Sequence, residues 1–209
     1  MIKVLIADDH KLIRSGLKMT LSDQEDMEVI CEASDGLEAL DLVKKNDLDA
    51  VILDISMPGM NGLEVSAELR KLYPLLPILI LSVLSEEAYA TKSLKAGASG
   101  FVHKEKIPEE LVKAIRRVAN GGLYLSPALT EKSDSDSGTQ FRKFLYENLL
   151  LIEFQVMTAM ACGKSVNKIS KQFLIDPETI SVFNNNILEK LELKDNSELF
   201  SYCIEEGLI

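Results

Sequence analysis

Two acids stand together at Asp8 and Asp9, a third stands at Asp54, a hydroxyl at Ser82 and a lysine at Lys104. Each follows or ends a short apolar, β-rich run: Lys3–Ala7, Ala50–Leu53, Ile78–Leu81 and Gly100–Val102. If those runs are strands of one parallel sheet, all five groups share its carboxyl edge, with Asp54 central. That is the edge where ligands of open α/β sheets bind. Three neighbouring carboxylates repel one another unless a cation sits among them. Oxygen ligands suit a hard ion such as Mg²⁺, while a lysine and a hydroxyl suit phosphate oxygens. The chemistry these types support is phosphoryl transfer: Asp54 as nucleophile, a metal ion offsetting negative charge, Lys104 supporting the product.

The elements that must position these groups follow from periodicity. A fifth apolar run, Met27–Cys31, completes the strands. Helical spacing fills the gaps, marked by Leu12, Leu17 and Leu21, by Leu37, Leu40 and Val43, by Leu63, Leu69 and Leu72, by Ala88, Leu94 and Ala96, and by Leu111, Ile115 and Val118. Five strands alternating with five helices predict a doubly wound (βα)5 domain with a parallel five-stranded sheet covered on both faces. Asn120-Gly121-Gly122 closes the last helix, and SPALTEKSDSDSGTQ from Ser126 reads as a flexible linker. From Phe141 onward the pattern is helical, with helices expected near 141–162, 165–173, 177–191 and 195–207. Asp176-Pro177 caps the third. The expected division is 1–121, a linker over 122–145, and an all-α domain over 146–209.

ADDH at 7–10, LDISMPGMNG at 53–62, Ser82 and GFVHK at 100–104 together resemble the receiver domain of two-component response regulators, a flavodoxin-like fold. The resemblance implies that Asp54 is the phospho-acceptor. It implies Asp9 as a direct Mg²⁺ ligand, Asp8 as one acting mainly through water, and the Ser56 backbone carbonyl as another. Lys104 would pair with the phosphoryl group, Ser82 would be the switch hydroxyl, and Phe101 the aromatic that turns inward on activation. Pro58 and Gly62 would shape the loop after the acceptor. His10 and His103 read as locally packed or solvated, and the three cysteines as small buried residues.

The last 64 residues are similar to the LuxR/NarL-type helix-turn-helix domain, on Glu153, Val156-Met157, Gly163, Ser165, Ile169, Ile175, Pro177, Thr179-Ile180, Ile187-Leu188, Lys190-Leu191 and Glu198-Leu199. The whole chain then resembles a NarL-type response regulator, which implies a sensor histidine kinase as donor, promoter DNA as target and a phosphorylation-dependent homodimer. The would-be recognition helix has core residues Ile180, Phe183, Ile187 and Leu191, and an outer face read as Ser181, Val182, Asn184 and Asn185. No Lys or Arg lies between Lys171 and Lys190, and Glu178 and Ser181 stand where the family usually has a basic residue. Lys164, Lys168 and Lys171, with Lys190 and Lys194, either flank a groove or form a solvated face. At the opening of this domain's first helix, Leu149-Leu150-Leu151-Ile152-Glu153-Phe154 stands where the family commonly has Leu-Thr-Pro and basic residues; it reads as a longer buried helix continuous with 141–149 or as a surface for self-association or a partner. An alternative function follows: an adaptor whose receiver accepts phosphate while the helical domain binds protein instead of DNA.

Composition bounds these readings. The net charge of −10 excludes an indiscriminate polyanion binder, so any contact with nucleic acid must use a local patch. Three unpaired-looking cysteines imply neither a disulfide framework nor a zinc set, and favour a reducing compartment. No signal or transit peptide, no membrane span and no second catalytic constellation is read, so the expectation is a cytoplasmic protein without membrane contact or substrate turnover of its own.

Overall fold

The computed structural model describes residues 1–124 and 149–209; of Glu86 and Glu87 only the backbone is described. Strands β1 (Ile2–Ala7), β2 (Met27–Ala33), β3 (Ala50–Asp54), β4 (Ile78–Ser82) and β5 (Gly100–His103) form one sheet. Its order is β2-β1-β3-β4-β5, and every pairing is parallel. Helices α1 (Lys11–Ser22), α2 (Gly36–Lys45), α3 (Gly62–Leu72), α4 (Glu86–Lys95) and α5 (Ile107–Ala119) alternate with the strands. A single 3₁₀ turn over Lys104–Lys106 leads into α5.

The central strands are apolar throughout because both faces are covered. Leu5, Val51, Leu53, Ile78, Ile80 and Phe101 pack on one side with Ala39, Val43, Val65 and Leu69 of α2 and α3. Val4, Ile6, Ile52, Leu79, Leu81 and Val102 pack on the other with Leu17, Leu21, Leu111 and Ile115 of α1 and α5. The period of two along each strand assigns neighbours to opposite layers. Not every leucine at helical spacing is core: Leu12 and Leu37 are exposed.

The chain leaving α5 extends the sheet. Tyr124 N–H donates to the Ser99 carbonyl, and Phe101 N–H donates to the Tyr124 carbonyl. Gly100 makes room for this, since a Cβ there would lie 2.9 Å from the Tyr124 carbonyl oxygen. Residues 122–124, read from sequence as the start of the linker, therefore lie along β5. The remainder of that segment, 125–145, and the first turns expected from 141 to 148 lie outside the described residues.

The carboxyl-terminal part folds into α6 (Leu151–Ala161), α7 (Val166–Phe173), α8 (Pro177–Lys190) and α9 (Asn196–Glu205). The long helix expected over 141–162 is not continuous, because Leu150 is extended (φ −77°, ψ 156°) and α6 begins after it. Leu151 N–H donates to the Gly121 carbonyl, and Leu150 bridges antiparallel to Gly122. The apolar run at 149–151 owes its character to this docking: Leu149 and Leu151 are buried in one cluster with Leu123 and with Ala90 and Leu94 of α4. Phe154, Val156, Ile169, Ile180, Ile187 and Leu199 continue the same cluster into the helical domain. Of the cysteines, only Cys203 is buried, which pushes its thiol up to about 12; Cys31 is half-buried and Cys162 exposed. Among the described residues, no helix is long and apolar enough to cross a membrane.

Because α4 shares a core with the helical domain, truncating it should loosen both. Leu94→Ala is expected to cost about 2–5 kcal/mol. Calorimetry should then show the helical domain melting separately from the sheet, whereas a single unshifted transition would show that α4 does not hold the two together.

Candidate phosphoryl-transfer site

The strand ends assemble as the sequence spacing requires. Asp54 is the last residue of β3, Ser82 the last of β4, Asp8 and Asp9 follow β1, and Lys104 follows β5. Asp8 and Asp54 are 1% and 3% exposed, burial at which a carboxylate needs a partner. Lys104 supplies it, with Nζ 2.6 Å from Asp8 Oδ2 and 2.8 Å from Asp54 Oδ2. Burial works against the Lys104 charge, but hydrogen bonds to Asp54 and Asp8 outweigh it and hold the ammonium above its ordinary range. The second oxygen of Asp54 takes no hydrogen bond among the described residues.

Asp8 is held twice more. Its Oδ1 accepts the His10 backbone N–H at 2.8 Å, and its carbonyl accepts Arg14 Nη1 at 2.6 Å. Asp9 is more open, and its Oδ1 lies 2.7 Å from Nδ1 of His10. Oxygen atoms of Asp8, Asp9 and Asp54 and a nitrogen of His10 all lie within 4.8 Å of one another. Three carboxylates beside one ammonium leave an excess of acidic groups, and their carboxylate oxygens fit a hard divalent cation. Ser56, read as a carbonyl ligand, is exposed in the loop two residues beyond Asp54, and among the described residues its carbonyl accepts no hydrogen bond.

That loop is pinned to the acceptor. Gly62 N–H donates to the Ile55 carbonyl, Met60 N–H to the Pro58 carbonyl, and Gly59 takes a positive φ of 77°. Asn61 and Glu64 form a reciprocal cap that fixes the start of α3. Gly62 sits so close to β3 that a Cβ would fall 2.1 Å from the Asp54 carbonyl oxygen.

On the α4 side, Ser82 is fully buried and its Oγ accepts the Leu84 N–H at 3.0 Å. Phe101 is also fully buried, in the apolar layer on the face of the sheet that carries α2, α3 and α4. Sequence reading has it turn inward on activation; here it is already inside, where its ring fills the apolar layer beside Ile80 and Ala98. His103 lies within hydrogen-bond distance of the Val83 carbonyl, 3.0 Å, tying the β4 and β5 ends together. His10, read as locally packed or solvated, is largely exposed, and its ring nitrogen lies beside Asp9 and Asp8.

In the helical domain, Lys168 and Lys171 are exposed on α7 and Lys164 precedes it, bonded to Gln172 at 2.8 Å. Ser181, Val182 and Asn185 are exposed on α8, Ser181 with its hydroxyl turned back to the Pro177 carbonyl. Asn184 does not join them. It lies four residues after Ile180 and three before Ile187, on the core side of α8, and its Oδ1 is buried without a hydrogen-bond partner among the described residues. Lys190 is also removed from the groove-flanking set: it pairs at 2.7 Å with Glu153, which is 3% exposed and reaches back to the Leu150 N–H. This ion pair braces α6 against α8.

A site of three clustered acids and a lysine at the carboxyl edge of a (βα)5 sheet, joined to a four-helix domain, defines a receiver with an output module. Comparison with known proteins agrees. Residues 4–116 match the response regulator receiver domain, and residues 152–203 match the luxR family of bacterial regulatory proteins. The chain belongs to the two-component response regulators and carries a LuxR-type helix-turn-helix output domain. It is 33% identical to the transcriptional regulatory protein DegU of Brevibacillus brevis, over 100% of this chain and 95% of that one. It is 32% identical to the response regulator GacA of Pseudomonas aeruginosa, over 100% and 98%. The solved RcsB response regulator of Salmonella typhimurium superposes with a TM-score of 0.58 at 25% identity, covering 97% of this chain and 98% of that one.

Two glycines should respond oppositely to alanine. Gly62→Ala pushes a methyl group into the Asp54 backbone and is expected to destabilise by about 1–3 kcal/mol. Gly16→Ala, in α1 with nothing within 4 Å of a Cβ, is expected to stabilise by about 0.4–1 kcal/mol. Denaturant midpoints of the two variants check both signs.

Proposed function

We propose that Asp54 accepts a phosphoryl group from the phosphohistidine of a sensor kinase, and that this event controls a DNA-binding output domain. The observation that carries the reading is Lys104 held at 2.8 Å from Asp54 and 2.6 Å from Asp8 inside an otherwise acidic pocket. The free oxygen of Asp54 attacks phosphorus, the P–N bond of the donor breaks, and the histidine nitrogen leaves with the electron pair. Lys104 is then placed to hold a phosphoryl oxygen in place of a carboxylate. Asp8, Asp9 and Asp54, with the Ser56 carbonyl, would hold Mg²⁺, which when bound offsets negative charge on the reacting oxygens.

The new charge at Asp54 draws the Ser82 hydroxyl away from the Leu84 N–H and so shifts the β4–α4 loop. Ser82 and Phe101 serve as the switch, because both lie under α4 and Phe101 shares a backbone hydrogen bond with Tyr124 at the head of the linker. The division into a receiver over 1–121, a linker over 122–145 and an output domain over 146–209 belongs to this reading, as does a phosphorylation-dependent homodimer in the cytoplasm. The phosphorylation is a local charge event biasing a packed, two-state element.

On DNA, Lys164, Lys168 and Lys171 would contact phosphates from the first helix of the motif, while Val182 and Asn185, with Ser181, would face base edges from the second. Asparagine can pair with adenine and a valine methyl with the thymine methyl. Asn184 contributes to that helix's packing. A second reading, an adaptor whose helical domain binds protein, is favoured by one observation: the face of α8 formed by Ser181, Val182 and Asn185 carries no cation, and Val182 is 54% exposed.

Incubation of the full chain with Mg²⁺ and acetyl phosphate should produce a phosphorylated species in a phosphate-affinity gel. Asp54→Asn should abolish it; a modified Asp54→Asn chain would refute the assignment. Anisotropy titration of the phosphorylated full chain against promoter fragments across salt separates the two outputs. Three lysine–phosphate contacts per protomer predict a log–log salt slope of roughly −2.7 per protomer, and absence of binding at low salt would leave the adaptor.

A further inference from the structure

His10 lies at the acidic site, and the mechanism above gives it no role. It is placed there deliberately by the backbone: its N–H donates to Asp8 Oδ1 at 2.8 Å, and its extended conformation (φ −88°, ψ 105°) lies at the turn from β1 into α1. It makes no side-chain cap for that helix. It belongs to no apolar cluster of the fold. Its ring meets carboxylates instead, with Nδ1 at 2.7 Å from Asp9 Oδ1 and 3.3 Å from Asp8 Oδ1. A histidine nitrogen thus completes a set with three carboxylate oxygens in which all ligand atoms lie within 4.8 Å of one another.

We infer that His10 is a nitrogen ligand of the divalent ion held by Asp8, Asp9 and Asp54, and that it widens the site from Mg²⁺ to the later transition ions such as Co²⁺ and Ni²⁺. The inference rests on the reading that these acids hold a cation. Its chemistry is ligand softness. Oxygen-only sites suit Mg²⁺, Ca²⁺ and Mn²⁺, whereas an added imidazole raises affinity for the later divalent metals. The placement supports this. Lys104 occupies Oδ2 of both Asp8 and Asp54 on the buried side, while His10 approaches from the open side, its side chain 65% exposed and free to turn onto an ion without repacking the core. Asp9, the more open acid, is the residue His10 already touches, so a metal bound there meets the imidazole first.

Isothermal titration of the full chain and of His10→Ala with Ni²⁺ and with Mg²⁺, without phosphodonor, tests the assignment. The substitution is on a largely exposed side chain, and His10→Gln provides a second variant that keeps bulk and hydrogen bonding. Both variants are expected to weaken Ni²⁺ binding about tenfold or more and to change Mg²⁺ affinity less than about twofold. Bound Mn²⁺ should show nitrogen hyperfine coupling in pulsed electron paramagnetic resonance with the parent chain and none with His10→Ala. Unchanged Ni²⁺ affinity in both variants, or no nitrogen coupling in the parent, overturns the proposal while leaving a Mg²⁺-dependent receiver intact. Ni²⁺ binding that survives Asp54→Ala overturns it too, since the ion then sits elsewhere. A parent chain that binds neither ion removes the cation-holding reading on which the proposal depends.

Discussion

One cation among three acids sets the terms for the rest of this molecule. Lys104 reaches between the buried Asp8 and Asp54 at the rim of the sheet and pairs with both. The requirement propagates outward. Lys104 must follow β5, so β5 must pair parallel to β4 and end level with it. Asp54 must end the central strand, so β3 must be flanked by β1 and β4, as the order β2-β1-β3-β4-β5 provides. The loop after Asp54 must turn away at once, and Gly62 allows that turn to lie against the acceptor's own backbone. The apolar layers on both faces serve this geometry, because a rigid sheet is what keeps Asp8, Asp54 and Lys104, at three strand ends, in hydrogen-bond register.

The sheet and its site were legible because two independent patterns coincide: period-free apolar runs of strand length, and polar groups placed at their ends. Neither Asp54 nor Lys104 is informative alone, but five such groups cannot fall at consecutive strand ends by composition. The helical domain was legible as helices and caps, with Asp176 before Pro177 fixing the start of α8. What failed failed for tertiary reasons. Leu149 and Leu150 look like helix because they are apolar, yet the chain is extended there, and Leu149 is apolar because α4 and Leu123 cover it. Asn184 looks exposed because it is polar, yet its position on the helix wheel faces inward. Lys190 looks like a free cation, yet Glu153, nearly forty residues away in sequence, claims it. His10 carried no periodic signal, and only the folded turn shows what its ring meets.

The docking of α6 against the receiver has a further meaning in how the output face is presented. With the helical domain seated on α4 and on residues 121–123, the outer face of α8 remains open: Ser181, Val182 and Asn185 all face solvent. The seated arrangement therefore does not mask the surface that the output domain would use. The docking fixes where that surface points, not whether it can be reached. Two copies reading one duplex must place equivalent helices about one helical turn, roughly 34–36 Å, apart, and a domain clamped to its own receiver is free to meet that spacing only if the clamp happens to match it. The contact that fixes this orientation is small: Leu123, Leu149 and Leu151 against Ala90 and Leu94 of α4.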